Sequence, residues 1–524
     1  MAENIFKQTH GPLGSIGSVY NADMGKPVTV KDNKNKNTSS GLGLGLEKES
    51  LPTPTLTLLK QMTTDEVTLS SKYYPASQPF LVQFLIQFPK KVAKTSSEAF
   101  KFVADYADNA DDILEVRPNN LINFSANEKP QGIGTFSMTL FDPQWNKIES
   151  KIVKNKGLIR IRWGYADQGS MLGNTTENTT ATPWIDCFIT SYSLKFGLQG
   201  TTISIAGIMV GYKMVFTKEY KAFGEGGQLI SDIVIDIAKN SGLKPVVEPT
   251  LPILVMSDLK ETQKAPKIFI KKGETNLSLI MNELQPYATS AISKEGDYQF
   301  YIKRPMKKGE LPELHFHTIH YFPPENNIPT FTLFKTPNSP VIDYSPIWEA
   351  TIANIIGAND TFSVIIDASS KNINPYTPSI KTVPQPYDNS IAGTTFLKID
   401  EVYDGKQEDL NTKIISFETV NYPDLHPEEQ QALMHTKISK SAKHVIRASL
   451  TIQGITNFSL TDLIGIAVYI PGNASKAHWT SGFFRILGIV HSISAGSYTT
   501  KLDLCTAGNY MDGVEILPRT DSKK

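Results

Sequence analysis

The chain has 524 residues, with 52 Lys and Arg against 52 Asp and Glu, 40% hydrophobic residues and two cysteines. Single cores stop growing near roughly 250–300 residues, so three or four domains are expected. The zero formal charge argues against a dedicated nucleic-acid or anionic-surface binder, two cysteines cannot make a disulfide framework, and no stretch reaches the roughly 18 uninterrupted apolar residues of a membrane helix.

The first segment, 1 to about 55, includes "KDNKNKNTSSGLGLGLEKESLPTPT" and has too few large apolar side chains to offset its ordering entropy. It should order only against a neighbouring chain, with Ile5, Phe6, Val19 and Tyr20 as its apolar anchors. The beginning of the chain shows no apolar leader core, so a soluble, non-secreted protein of a reducing compartment is expected. "GLGLGL" lacks the spacing and flanking elements of a phosphate cradle and reads as linker.

From about 78 the chain turns to strands. "PFLVQFLIQF" is a short apolar strand, and "GTFSMTLFDP" sets Phe136, Met138 and Leu140 against Thr135, Ser137 and Thr139. "GLIRIRWGYAD" places Ile159, Ile161, Trp163 and Tyr165 on one face and Arg160 and Arg162 on the other. "YSLKFGLQGTTISIAGI" is a hairpin around Gly197 and Gly200. Cys187 here and Cys505 later sit in apolar strand-like runs and read as small buried thiols.

Between about 222 and 310 the period becomes helical. "GGQLISDIVIDIAKNSGLKP" carries the stripe Leu229, Ile230, Ile233, Val234 and Ile237, with Gly242 where a C-terminal cap is expected. "ETNLSLIMNELQPYA" repeats this with Leu277, Ile280, Met281 and Leu284 and a predicted Asn276 cap, and "DYQFYIKRP" follows as a strand. "HFHTIH" supplies His315, His317 and His320. A strand would set His315 and His317 on one face, but no cysteine or paired carboxylate completes a metal site, so the segment reads as a histidine-rich edge strand.

Strands return from about 330 with "TFTLFKTP" and "FSVIIDAS", interrupted by the Pro-rich loop near 370–393. "HPEEQQALMHTKISKSAKHV" is a predicted surface helix, followed by "RASLTIQGI" and "DLIGIAVYIPG". The last hairpin, "SGFFRILGIVHSISAGSYTTKLDLCTAG", alternates through Phe484, Ile486, Tyr498, Leu502 and Leu504 and turns at Gly496. His491, just before that turn, reads as a half-exposed structural residue.

No G-x-x-x-x-G-K-[ST], H-E-x-x-H or G-x-S-x-G motif occurs. The acidic run "DYADNADDILE", with Asp108, Asp111 and Asp112, is one contiguous face rather than two carboxylates opposed across a cleft. The sequence therefore names no catalytic, cofactor-binding or metal-ligating residue and no cofactor.

The order of these pieces, "GTFSMTLFDP" and "IRIRWGY", then "ISDIVIDIAKNSGL", then "SLTIQGITNFSLTDLIGIAVYI" and the last hairpin, resembles the baseplate hub or tube-adaptor proteins of contractile-tailed phages. That group includes the late-control D type, the T-even hub and the N-terminal part of VgrG spikes. The resemblance covers roughly 78 to 510 and implies a mainly β fold with an α/β insert: two tail-tube-like β-barrel domains plus a small α+β domain. The expected division is an extended N-terminal arm (1–77), a first tube-like β-barrel (78–221), an α/β insert (222–329), a second tube-like β-barrel (330–510) and a C-terminal tail (511–524). The resemblance also implies a homotrimer whose pseudo-sixfold ring meets tail tube or tube-initiator proteins on one side and a threefold central spike on the other. DNA would meet it only in transit through the channel. The location implied is the virion tail baseplate, reached from the host cytoplasm during assembly, with other baseplate proteins contacted by the arm. The long arm and the Pro-rich loop depart from the pattern. Two other readings stand beside this one: a tail-associated wall-degrading enzyme, and a receptor- or glycan-binding tail protein.

Overall fold

The computed structural model describes residues 63–74, 81–89, 113–142 except 118, 149, 157–166, 181–256 except 199 and 225–226, 264–318 except 293–295 and 297, 327–348, 363–367, 372–376, 446–508 and 515–516. The arm anchors, the acidic run with Asp108, Asp111 and Asp112, His320 and the predicted helix after His426 lie outside them. Among the described residues the fold is mainly β, with a small α/β insert.

The first β portion comprises β1 (Thr63–Glu66), β2 (Val82–Gln87), β3 (Ile113–Glu115), β4 (Leu121–Glu128), β5 (Thr135–Asp142), β6 (Leu158–Tyr165), β7 (Ile185–Gly197) and β8 (Gly200–Ile208). Strands β2–β8 pair antiparallel in the order β3-β2-β6-β7-β8-β5-β4. Alternation explains them: Phe136, Met138 and Leu140 are buried on β5, as are Ile159, Ile161, Trp163 and Tyr165 on β6, while Arg160 and Arg162 stay part-exposed. The β7–β8 hairpin closes at the Gly197–Gly200 pair.

The insert holds β9 (Lys218–Phe223), helix α1 (Ile230–Asn240), β10 (Lys244–Val247), β11 (Leu254–Met256), β12 (Lys264–Pro266), β13 (Phe269–Thr275), β14 (Gln299–Lys303) and β15 (Glu313–His317). Helix α1 buries Ile230, Ile233, Val234 and Ile237, and Gly242 follows it at φ +76°, the left-handed conformation glycine adopts without a Cβ penalty. The second predicted helix, 276–287, departs from the regular period. Its centre, Leu279–Leu284, is a π-helix, which brings Leu279 and Leu284 to one buried face and leaves Leu277 and Met281 partly exposed. Its cap is Thr275, whose hydroxyl accepts the Ser278 N–H at 3.1 Å, not Asn276. The Asn276 amide oxygen is instead taken by the buried Lys271 ammonium, which also reaches Glu219 at 3.2 Å.

The last portion comprises β16 (Asn327–Leu333), β17 (Val341–Trp348), β18 (Ser363–Asp367), β19 (Asn372–Tyr376), β20 (Ile446–Gln453), β21 (Leu463–Ile470), β22 (Asn473–Ala477), β23 (Gly482–Ser494), β24 (Ser497–Gly508) and β25 (Glu515–Ile516). Strand β19 lies within the expected Pro-rich loop and pairs with β18. Strand β1, from the segment expected to be arm, pairs in parallel with β16, and β16 pairs in parallel with β21. The 13-residue β23 binds three neighbours: β24 along its length, β21 at its start and β4 at its end. The β23–β4 ladder joins the two β portions into one mixed sheet of 16 strands among the described residues. The main apolar cluster among the described residues runs from Phe84 and Trp163 through Leu314 and Phe331 to Leu502.

Candidate functional site

His491 is fully buried, not half-exposed as its place before a turn suggested. The reason is a bulge. The β23–β24 register shifts between Ile486 and Gly488, so the side chains that join the apolar core move from even positions, Phe484 and Ile486, to odd ones, Ile489 and Ile493, in parity with His491. That change of face turns the imidazole inward over the β23–β4 ladder.

Inside, it meets a carboxylate and a guanidinium from two other parts of the chain. Glu128 ends β4 on the buried side of an alternating strand, in parity with Phe124 and Ala126. Arg304 follows β14 of the insert. Arg304 Nε donates to Glu128 Oε1 at 2.7 Å, with the two side chains 2% and 4% exposed. The same guanidinium donates to the carbonyls of Thr456 at 2.5 Å and Phe458 at 3.4 Å, and its carbon lies 5.9 Å from the Trp163 ring centre. His491 Nε2 faces Glu128 Oε1 at 3.7 Å, while Nδ1 hydrogen-bonds the hydroxyls of Tyr498 (2.9 Å) and Thr500 (3.3 Å). The Tyr498 and Thr500 hydroxyls both donate to the Ile455 carbonyl at 3.1 Å.

Burial alone would raise the Glu128 carboxyl. The Arg304 charge and hydrogen bond outweigh it and hold the group down at about 2. Burial, opposed by Glu128, keeps His491 below the usual imidazole range. A carboxylate so firmly ionised cannot deliver a proton near neutrality. The node does something else: it pins β4, β23, the insert and the 455–458 loop together through charge-assisted bonds.

A second polar cluster sits where the insert meets the 459–462 loop. Strand β15 is the central strand of the sheet β10-β15-β14, not an edge, so His315 and His317 are both buried. Tyr301 on β14 places its hydroxyl 3.1 Å from His315 Nδ1, 3.2 Å from His317 Nε2 and 3.0 Å from Thr461 Oγ1. The two imidazoles approach at 3.1 Å between the same nitrogens. His315 Nε2 donates to Glu313 at 3.0 Å, and His317 Nδ1 donates to the Thr318 carbonyl at 2.7 Å. Hydrogen bonding from His315, against the penalty of burial and with help from Lys244, holds Glu313 at about 2. Burial, reinforced by the neighbouring His315, lowers His317 to about 3, and burial also lowers His315. Both rings are neutral near pH 7. Glu248, buried beside them, accepts the Thr318 N–H at 2.7 Å and the Ser290 hydroxyl.

Sequence reading found His315 and His317 on one strand face but missed Tyr301, Glu128 and Arg304. Parity on β4 could have found Glu128, a carboxylate in an apolar stripe. Strand β14 is buried along nearly its whole length, so no alternation marks Tyr301. Cys187 and Cys505 are buried thiols that form no disulfide, as expected, and burial pushes the Cys187 thiol well up. Among the described residues no group of three or more His, Cys, Asp and Glu could hold a metal ion, and no helix is long and apolar enough to cross a membrane.

No family model matches the chain, and no curated protein matches it. Among solved structures it is similar to a tail protein from Neisseria meningitidis MC58, at 10% identity over 82% of this chain and 98% of that one, with a TM-score of 0.46. It is similar to the 43 kDa tail protein of prophage MuSo2 from Shewanella oneidensis, at 10% identity, 81% and 98% coverage and a TM-score of 0.45. It is also similar to the half-lidded Francisella PdpA-VgrG complex, at 10% identity, 86% and 61% coverage and a TM-score of 0.46.

Proposed function

We propose that the protein is a structural baseplate hub of a phage contractile tail. In this reading three copies form a ring that joins the sixfold tail tube to the threefold spike and lets DNA pass. The observation that carries the reading is the pair of long hairpins, β7–β8 and β23–β24, one in each β portion of a single continuous sheet. A trimer matches a sixfold tube only when each chain offers two similar faces, and in this reading the two hairpins of each chain are those faces. The proposed division keeps two tube-like barrels, 78–221 and 330–510, around the insert 222–329, with an arm before and a tail after. Proposed partners are tube or tube-initiator proteins, the central spike and, through the arm, other baseplate proteins. The proposed location is the virion tail, with assembly in the host cytoplasm.

The buried node supports an architectural role. Its charges tie the insert and both β portions together, and a hub needs that rigidity when the tail contracts. No enzymatic step is assigned. Purified full-length protein should leave peptidoglycan and glycan substrates intact with or without added zinc, and should elute as a trimer in size-exclusion chromatography with light scattering. Wall clearing lost on changing Asp108, Asp111 or Asp112 to Asn would favour the enzyme reading, and a stable monomer at micromolar concentration would contradict the hub.

A further inference from the structure

The partners behind His315 and His317 fix where their protons sit. The Glu313 carboxylate can only accept, so His315 Nε2 carries hydrogen. The Thr318 carbonyl can only accept, so His317 Nδ1 carries hydrogen. In neutral rings this leaves lone pairs on His315 Nδ1 and His317 Nε2, the two nitrogens that stand 3.1 Å apart. Tyr301 Oη completes a triangle with them at 3.1 and 3.2 Å.

Such a triangle has the dimensions of a metal's donor set. Ligand bonds of about 2.0–2.1 Å in tetrahedral geometry put neighbouring donors roughly 3.3 Å apart, close to all three separations here. The outer partners are also of the kind metal-bound imidazoles use, a carboxylate behind one ring and a backbone carbonyl behind the other. The Tyr301 ring lies against His315 at 4.6 Å and 13°, which holds the phenol oxygen beside Nδ1. On the open side of Tyr301 stands Thr461 Oγ1 at 3.0 Å, on a β-branched residue at φ +69°, a conformation that persists only where its surroundings enforce it.

We propose that Tyr301, His315 and His317 form a binding site for a late first-row divalent cation, zinc foremost, on the side of the insert that faces the 459–462 loop of the last β portion. Imidazole and phenol donors suit that class of ion. Binding as phenolate exchanges the Tyr301 proton for the metal: the O–H bond breaks, a metal–oxygen bond forms, and the proton leaves to solvent. The Glu313 and Asp462 carboxylates near the cluster offset part of the Arg485, Lys303 and Lys244 charge that also faces it. Sequence reading excluded a metal here because it looked for cysteine or paired carboxylates; the third donor comes from the adjacent strand.

The test uses untagged full-length protein, stripped with chelator, loaded with zinc and dialysed into metal-free buffer. One zinc per chain by elemental analysis is expected, with cobalt in its place giving the visible absorption bands of a tetrahedral site. Tyr301→Phe and His317→Gln should lose both signals, and Glu313→Gln should weaken affinity about 10–100-fold. Absence of stoichiometric zinc in the wild type, or unchanged binding by folded His317→Gln, would overturn the proposal. Should those variants fail to fold, anomalous scattering from wild-type crystals grown with zinc decides: a peak inside the triangle supports the site, and a peak elsewhere or none overturns it.

Discussion

Glu128 is the residue on which most of the junction converges. Removing one member of a buried ion pair leaves the other charge uncompensated, which costs about 3–5 kcal/mol. Arg304→Met should therefore lower the urea midpoint strongly, and Glu128→Gln combined with Arg304→Met should recover much of the loss. The pH dependence has a definite sign. The Glu128 carboxyl titrates at about 2 in the folded chain against 4.5 ordinarily. Its contribution is complete above about 4.5 and disappears as pH falls toward 2, on the order of 3 kcal/mol in all. His491, lowered by burial, acts in the same direction: below its ordinary value of 6.5 the unfolded chain takes up a proton that the folded chain resists. Urea titrations between pH 7 and pH 2.5 should show stability declining with acid, and Glu128→Gln should flatten the lower part of that curve.

A glycine secures the same node from the other side. A Cβ on Gly454 would stand 2.1 Å from the Tyr498 ring, the ring whose hydroxyl bonds His491. Gly454→Ala must displace Tyr498, and forced shifts of this kind cost about 1–3 kcal/mol. A urea midpoint within error of the wild type would show that the ring is not held there.

At the scale of elements, most strands were legible because alternation is local: Phe136, Met138 and Leu140 on β5 and the Ile159–Tyr165 stripe on β6 were readable from spacing alone. Helix α1 was legible for the same reason, down to Gly242. The failures share a cause, since each depends on a partner distant in sequence. Whether "HFHTIH" is an edge or a centre is decided by β10 and β14 pairing on either side of it. The inward turn of His491 is decided by a bulge set against Asp503 on β24. Deleting Leu487 and Gly488 together would set Ile489 directly after Ile486 and turn Ile489, His491 and Ile493 to the opposite face. Hydrogen exchange at the β4 amides should then lose its protection while β7–β8 keeps its own. Unchanged protection on β4 would mean that the ladder does not depend on the bulge.

At the scale of the whole molecule, continuity is the feature that matters. The β23–β4 ladder makes one sheet of what sequence reading treated as separate domains, and the Glu128–Arg304–His491 node fastens the insert to it. A chain built this way transmits load as a unit, which fits a component between a tube and a spike. The central claim is that three copies of this unit make a ring. Electron cryomicroscopy of the recombinant oligomer, or of the purified particle that contains it, tests that claim most directly. The account expects a threefold ring with an axial hole, presenting six similar hairpin-bearing faces on one side; a monomer, a dimer or a closed assembly without a channel would contradict it.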